Sequence, residues 1–316
     1  MPLKPEILML RGLLPRQTAQ IEERYTAHRL DLTHDRAALL AEVAPRITAI
    51  VTSGELGCSA ELMDHLPRLE MISCFGVGVD GIDLAYCKRR GIPVSNTPDV
   101  LTDDVADLAI GLAIATMRRI VAADRFVRAG SWQNGPLPLA TRLAGKTAGI
   151  IGLGRIGKAI AKRAEAHGLT VVWHGRHEQP DAPWPRRPDL VAMAREVDLL
   201  VVACPGGPAT RGLVSREVLA ALRPSSFLVN ISRGSVIDEP ALVETLVEGR
   251  IAGAGLDVFA DEPNVPAPLL DLPNVVLTPH IGSATEETRD AMAQLVVDNL
   301  DAHYAGRPLL TPWRFG

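Results

Sequence analysis

Cysteine is scarce in this chain. Among 316 residues there are four, Cys58, Cys74, Cys87 and Cys204, scattered without a CxxC pair. That spacing argues against a disulfide framework and against a zinc site, so no metal is expected, and it reads as reduced structural thiols of a cytoplasmic protein. Long apolar runs are missing as well. None approaches the ~18 residues needed to cross a bilayer. The stretch from Met1 to Arg11 is interrupted by Pro2, Lys4, Pro5 and Glu6, which leaves no apolar core for a leader peptide. Neither sign of charge dominates: the net charge is −4 with 22% charged residues, so neither nucleic acid nor an anionic membrane is an expected partner. Repeats and low-complexity tracts are absent, and the one proline cluster, Pro180 to Pro188, reads as a surface loop. The composition is 47% hydrophobic, enough for substantial cores, and the length suggests about two domains.

Near mid-sequence stands Ile150-Ile151-Gly152-Leu153-Gly154-Arg155-Ile156-Gly157. An apolar run, 147–151, leads into it and a helical pattern from Lys158 to His167 leads out. Strand, glycine turn and helix are the context that a dinucleotide fingerprint requires. Gly152 allows the tight turn, Gly154 lets the backbone approach a pyrophosphate, and Gly157 lets the helix pack on the strand. The helix N-terminus, beginning at Arg155 and Ile156, offers unpaired N–H groups to the phosphates.

The rest of the chain follows a strand–helix rhythm. Strands are expected at 5–10, 47–51, 69–74 and 93–95, with helices at 15–25, 59–66 and 83–90 and Gly91 as a helix stop. The first hundred residues thus form an α/β unit without a dinucleotide fingerprint. A long apolar helix over 102–119 follows, with Thr102 as N-cap and Val105, Leu108, Leu112 and Ala115 on one face. Ser131 to Ala140 reads as a loop; its Trp132 needs a place to bury its ring, on its own subunit or in a partner. From Lys146 onward, strands at 147–151, 169–174, 198–203, 226–230, 252–256 and 274–277 alternate with helices at 155–167, 188–196, 215–221 and 239–248. Short apolar strands with short connections predict a parallel, doubly wound sheet that binds ligands at its carboxyl edge.

Three polar residues follow strands in that manner: Arg233, Glu262 and His280. Each alone is ambiguous. Together on one nucleotide-binding sheet they suit hydride transfer to a 2-oxo acid. An arginine fork holds a carboxylate, a histidine gives a proton to a carbonyl oxygen near neutral pH, and a glutamate holds the imidazole and favours its protonated form.

With these residues in view, the chain resembles the D-isomer-specific 2-hydroxyacid dehydrogenases, most of all their glyoxylate/hydroxypyruvate reductase branch, with similarity to hydroxyphenylpyruvate reductases. The carriers run from about Val51 onward: Gly76-Val77-Gly78-Val79-Asp80, Asn96-Thr97-Pro98-Asp99-Val100-Leu101-Thr102, the glycine fingerprint, Asn230-Ile231-Ser232-Arg233-Gly234, Gly255-Leu256-Asp257-Val258-Phe259 with Glu262-Pro263, and Thr278-Pro279-His280-Ile281-Gly282-Ser283-Ala284-Thr285. The resemblance implies that Arg233, Glu262 and His280 are the catalytic residues. Formate dehydrogenases of the superfamily have Gln in place of the Glu, so Glu262 speaks against that reaction. It implies further that the amides of Val77 and Gly78 bind the substrate carboxylate, with Ser53, Gly54 and Ser283 on the substrate side. Asp257 would contact the nicotinamide carboxamide, and Thr102, Val105 and Ile231 would flank the cofactor. The implied architecture is two Rossmann-like doubly wound parallel-sheet domains. A cofactor domain, 101–282, is inserted into a discontinuous, flavodoxin-like substrate domain, 1–100 and 283–316, and helix 286–304 is the return crossing. A homodimer is expected, with the region of Trp132 reaching a neighbouring active site.

An acidic residue is expected about 20 positions beyond the fingerprint, to bond the ribose 2′-OH of NAD. The sequence there reads Val171-Val172-Trp173-His174-Gly175-Arg176-His177, with Gly175 at the position of the acid and Arg176 after it. A carboxylate would repel a 2′-phosphate, whereas Arg176, with Arg155 nearby, suits one. NADPH is therefore the expected cofactor, with NADH as a second choice. The expected reaction is reduction of glyoxylate or hydroxypyruvate to the D-2-hydroxy acid. Arylpyruvates are the alternative substrates, and a dinucleotide-sensing corepressor-like binding protein is the alternative from another class.

Overall fold

The computed structural model describes residues 4–315; Met1, Pro2 and Leu3, part of the stretch read for a leader, and Gly316 lie outside the described residues. Two compact units divide the chain, one made of Met1–Leu101 with Thr285–Gly316 and the other of Thr102–Ala284.

In the first unit the chain runs β1 (Glu6–Met9), α1 (Pro15–Arg24), β2 (Thr26–Arg29), α2 (Arg36–Val43), β3 (Ile47–Ser53), α3 (Ala60–Asp64), β4 (Met71–Phe75), α4 (Leu84–Arg90) and β5 (Val94–Ser95). Every residue of β3 and β4 is buried, which is why these strands read as continuous rather than alternating apolar runs: helices cover both faces of a parallel sheet. The strand order is β2-β1-β3-β4-β5, all parallel. The order reverses between β1 and β3, so the crevice of this unit opens at their carboxyl ends. Gly91 ends α4 at φ 67° as its position predicts. Strand β2 and helix α2 were not expected. Thr26-Ala27-His28-Arg29 has no apolar run, because an edge strand can be held by backbone pairing to β1 alone.

The second unit opens with α5 (Thr102–Met117) and α6 (Ile120–Arg128), then β6 (Thr147–Ile151), α7 (Arg155–Ala166), β7 (Thr170–His174), α8 (Leu190–Glu196), β8 (Leu199–Val202), α9 (Arg216–Ala221), β9 (Phe227–Asn230), α10 (Glu239–Val247), β10 (Gly253–Leu256), α11 (Ala267–Leu270) and β11 (Val275–Leu277). Its sheet is parallel throughout, in the order β11-β10-β9-β8-β6-β7, and reverses between β6 and β8. The expected helix over 102–119 stops at Met117: Arg119 turns left-handed (φ 56°) and α6 starts afresh. The buried face of α5 is also wider than the expected stripe. Val105, Ala109, Leu112, Ala113 and Thr116 are buried, because α5 packs on α7 as well as on β9 and β10.

The proline cluster is a surface loop, as its composition suggests, and it is tied to β7. Trp173 N–H donates to the Pro185 carbonyl (3.1 Å), Arg187 N–H donates to the Trp173 carbonyl (2.7 Å), and the Trp173 indole N–H donates to the Trp184 carbonyl (2.9 Å). Prolines lack the N–H but keep the carbonyl, so a proline-rich strap can still serve as acceptor along the free edge of β7.

The chain then returns to the first unit as α12 (Glu286–Tyr304), which packs on β4 and α1. The tail closes that unit's sheet edge: Ser95 bridges Pro312, and Trp313 N–H donates to the Val94 carbonyl (2.7 Å).

Candidate active site

The glycine turn sits at the switch point of the second unit. Gly152 has φ 93°, and a Cβ there would lie 2.6 Å from Cys204 Cα, in the loop after β8. A Cβ on Gly157 would lie 2.0 Å from the Gly152 carbonyl oxygen. The fold itself requires these two glycines. Gly154 is different: nothing lies within 4 Å of where its Cβ would be. The open space faces the start of α7, which has no side-chain cap and no acidic residue in its first turn. An uncapped helix start beside an accessible backbone is what a dinucleotide pyrophosphate needs, so the residues present fit the cofactor. Arg155 and Ile156 form that first turn, and Ile231 follows β9, mostly buried. Thr102 and Val105 lie in the first turn of α5, and the Val105 methyls stand 3.4 and 3.8 Å from the place a Gly282 Cβ would take. Ser283 follows at once.

At the end of β7, Gly175 and the exposed Arg176 stand where an NAD site would carry an acid. Arg186, from the proline strap, holds this turn, a role with no mark in the sequence. Its guanidinium donates to the Gly175 carbonyl through Nη2 (2.9 Å) and Nε (3.2 Å) and to the Arg176 carbonyl (3.3 Å). Gln179 ties the same loop to the glycine turn by donating to the Leu153 carbonyl (2.9 Å). The Cys204 thiol beneath it is pushed up to about 11, chiefly by burial, against the pull of the Arg176 charge, and is inert at neutral pH.

Arg233, Glu262 and His280 come from three loops that follow β9, β10 and β11. A Cβ on Gly234 would lie 1.9 Å from the Phe259 carbonyl carbon, so the Arg233 and Glu262 loops press directly on each other. Asn230 shapes the first loop: its amide donates to the Arg233 carbonyl (3.1 Å), and its oxygen accepts from Ser232 N–H (3.0 Å). The Glu262 carboxylate accepts from Phe259 N–H (3.0 Å) through Oε1 and pairs with His280 Nδ1 (2.8 Å) through Oε2. Burial raises the carboxyl's pKa, but the His280 and Phe259 hydrogen bonds and the charges of His280 and Arg233 outweigh it, so Glu262 titrates below the usual carboxylate range. His280 itself sits at φ 52°, a left-handed conformation that a non-glycine residue adopts only when its surroundings fix it.

What fixes it is Asp257, 1% exposed. Its Oδ1 accepts from the Thr278 hydroxyl (2.6 Å) and Ile281 N–H (2.8 Å), its Oδ2 from Gly282 N–H (2.9 Å), and its carbonyl from His280 N–H (2.9 Å). Burial raises its carboxyl above the usual range despite these bonds. Asp257 therefore anchors the whole histidine loop, a role the sequence did not disclose.

The first unit carries the remaining predicted residues at the edge of its own sheet. Ser53 ends β3 and Gly54 follows it, both buried; Ser53 Oγ accepts from Leu56 N–H (3.3 Å), and the Gly54 carbonyl accepts from Gly81 N–H (3.1 Å). In the turn after β4, the three carbonyls are drawn inward: Gly76 accepts from Thr97 N–H (2.9 Å), Val77 from the Asn96 amide (2.8 Å), Gly78 from the Cys74 thiol (3.5 Å). Among the described residues neither the Val77 nor the Gly78 N–H has an acceptor. Two adjacent amides without an acceptor have the chemistry to receive an anion.

A doubly wound sheet with this turn at its switch point defines a dinucleotide-binding α/β enzyme. Residues 110–282 match the family model for the D-isomer specific 2-hydroxyacid dehydrogenase, NAD binding domain. A hydroxyphenylpyruvate reductase from Plectranthus scutellarioides is 49% identical, covering 97% of this chain and 98% of its own. A glyoxylate/hydroxypyruvate reductase from Arabidopsis thaliana is 50% identical, covering 93% and 94%. The crystal structure of an NADPH-dependent glyoxylate/hydroxypyruvate reductase from Sinorhizobium meliloti, in complex with NADP and malonate, superposes with a TM-score of 0.91 at 44% identity over 98% of this chain and 97% of that one. The chain belongs to the D-isomer specific 2-hydroxyacid dehydrogenase family.

Proposed function

We propose that this enzyme reduces a small 2-oxo acid, glyoxylate or hydroxypyruvate, to the D-2-hydroxy acid at the expense of NADPH. The observation that carries the reading is the His280–Glu262 pair, 2.8 Å apart, on the same sheet edge as Arg233 and the dinucleotide turn. Bound NADPH supplies the hydride that adds to C2. With Nδ1 committed to Glu262, His280 delivers its proton to the carbonyl oxygen from Nε2. Arg233 orients the carboxylate and polarises the carbonyl, and the Val77 and Gly78 amides bind the same carboxylate. In this reading the first unit is the substrate domain and the second the cofactor domain.

Arg176 on the Gly175 turn favours NADPH over NADH, because no carboxylate opposes a 2′-phosphate there. The similarity to a hydroxyphenylpyruvate reductase keeps arylpyruvates in the comparison. The protein acts in the cytoplasm as a homodimer: α6 has no buried residue, and Trp132 (69% exposed) and Leu139 (97% exposed) follow it, an apolar surface that a second copy would cover. No helix among the described residues is long and apolar enough to cross a membrane.

Steady-state kcat/KM for glyoxylate, hydroxypyruvate and 4-hydroxyphenylpyruvate, each with NADPH and NADH, tests the reading. The highest value is expected for one of the first two with NADPH. A clear NADH preference overturns the cofactor assignment, and binding of NADPH without turnover of any 2-oxo acid favours a sensor.

A further inference from the structure

The first unit holds a pair of cations that the reaction above does not use. Arg11 follows β1, and Arg289 lies one turn into α12. Their guanidinium carbons stand 4.8 and 5.4 Å from the ring centroid of Phe75, the last residue of β4, which is 5% exposed. Four other arginines of this unit are paired: Arg16 with Asp290, Arg24 with Asp301, Arg29 with Asp31 and Arg46 with Glu6. Among the described residues neither Arg11 nor Arg289 has an ion-pair partner. Arg289 is half-buried; burial first and the Arg11 charge second lower its pKa, while Glu55 pulls it the other way. Two like charges gathered on one ring, partly out of water, repel each other, and an anion between them would relieve that.

Their position points to substrate. The crevice of this sheet opens where its order reverses, at the ends of β1 and β3. Arg11 leaves β1 there, and Ser53 and Gly54 leave β3. Phe75 directly precedes the Gly76–Gly78 turn with its outward amides. An apolar floor thus lies next to the carboxylate site, with two guanidinium groups upon it.

We propose that Arg11 and Arg289 form a second anion subsite, which takes the distal anionic group of a 2-oxo acid while the Val77 and Gly78 amides take the carboxylate next to the carbonyl. The inference rests on the assignment of that amide turn to the substrate. It extends the substrate class to 2-oxo acids carrying a second carboxylate or a phosphate at the far end; the reduction at C2 is unchanged.

The test compares three pairs with NADPH: the near-isosteric oxaloacetate against 4-methyl-2-oxopentanoate and 2-oxoglutarate against 5-methyl-2-oxohexanoate, and phosphohydroxypyruvate against its unphosphorylated parent hydroxypyruvate. In the wild type, kcat/KM for at least one anionic member exceeds its partner roughly 10-fold, and the pair that shows it tells carboxylate from phosphate. Arg11→Gln and Arg289→Gln each lower that ratio roughly 10-fold, and Arg289→Lys keeps part of it, because the charge remains while the fork is lost. NADPH binding by fluorescence confirms that each variant is folded. A wild-type ratio near or below one in all three pairs, or Gln variants that depress both members of a pair equally, overturns the subsite alone. Failure of the wild type to reduce any 2-oxo acid overturns the functional reading, and the subsite with it.

Discussion

His280 Nδ1 lies 2.8 Å from Glu262 Oε2, and the other oxygen of that carboxylate is held by Phe259 N–H at 3.0 Å. The carboxylate is thus fixed at both ends, and the ring is fixed through it. Glu262 titrates below its usual range, so it is ionised wherever the histidine titrates and favours the imidazolium. Glu262→Gln removes that charge and keeps an acceptor. The histidine then loses its proton at lower pH, and the alkaline limb of kcat/KM for reduction moves down by roughly one unit. A pH–rate profile measures it, and an unmoved limb would contradict the pairing. The pair also bears on stability. A lowered carboxylate pKa contributes stability that is present above the unfolded value and is lost as pH falls through the folded one.

Arg186 grips the carbonyls of Gly175 and Arg176, so the proposed reading of a 2′-phosphate by Arg176 would depend on both arginines. Arg176→Ala is expected to raise KM for NADPH roughly 10-fold or more, with a much smaller effect on NADH. Arg186→Ala acts in the same direction through the loop, and Arg186→Lys falls between, since one ammonium cannot span two carbonyls. Equal changes for both cofactors would show that neither residue reads the 2′-phosphate.

Asp257 collects three hydrogen bonds from the loop that carries His280. In Asp257→Asn the new NH2 group must face either Ile281 N–H or Gly282 N–H, donor against donor; only the Thr278 hydroxyl can turn to compensate. One buried N–H is left without an acceptor, at a cost of about 1–3 kcal/mol. Urea unfolding should show a lower midpoint with an unchanged slope, together with a lower kcat. Wild-type values for both would remove Asp257 as the anchor.

The glycine fingerprint was legible because Gly152 and Gly157 answer steric demands set by neighbours close in the βαβ unit, and these leave a pattern in sequence. The residues Arg233, Glu262 and His280 were legible as strand-end polar groups. Their mutual arrangement was not, because it depends on Gly234 meeting Phe259 across two loops. Asp257 offered no sign of its anchoring role, since its partners are backbone N–H groups, which every residue but proline has. Strand β2 has no apolar pattern to mark it, because it is held by backbone pairing to β1 and one polar contact, His28 with Glu6. The strap from Pro180 to Pro188 reads in sequence only as a loop, because it meets β7 through backbone carbonyls and the Arg187 N–H, groups that no side-chain pattern marks. The helix break at Arg119 follows from a left-handed φ that the arginine side chain does nothing to announce.

His280 is proposed to donate the proton during NADPH-dependent reduction of a 2-oxo acid. The most direct measurement pairs NADPH binding, by fluorescence titration, with NADPH oxidation in the presence of hydroxypyruvate, for wild type and His280→Ala. The expected result is unchanged NADPH affinity with turnover reduced about 10²–10⁴-fold. Near-normal turnover in the variant would contradict it.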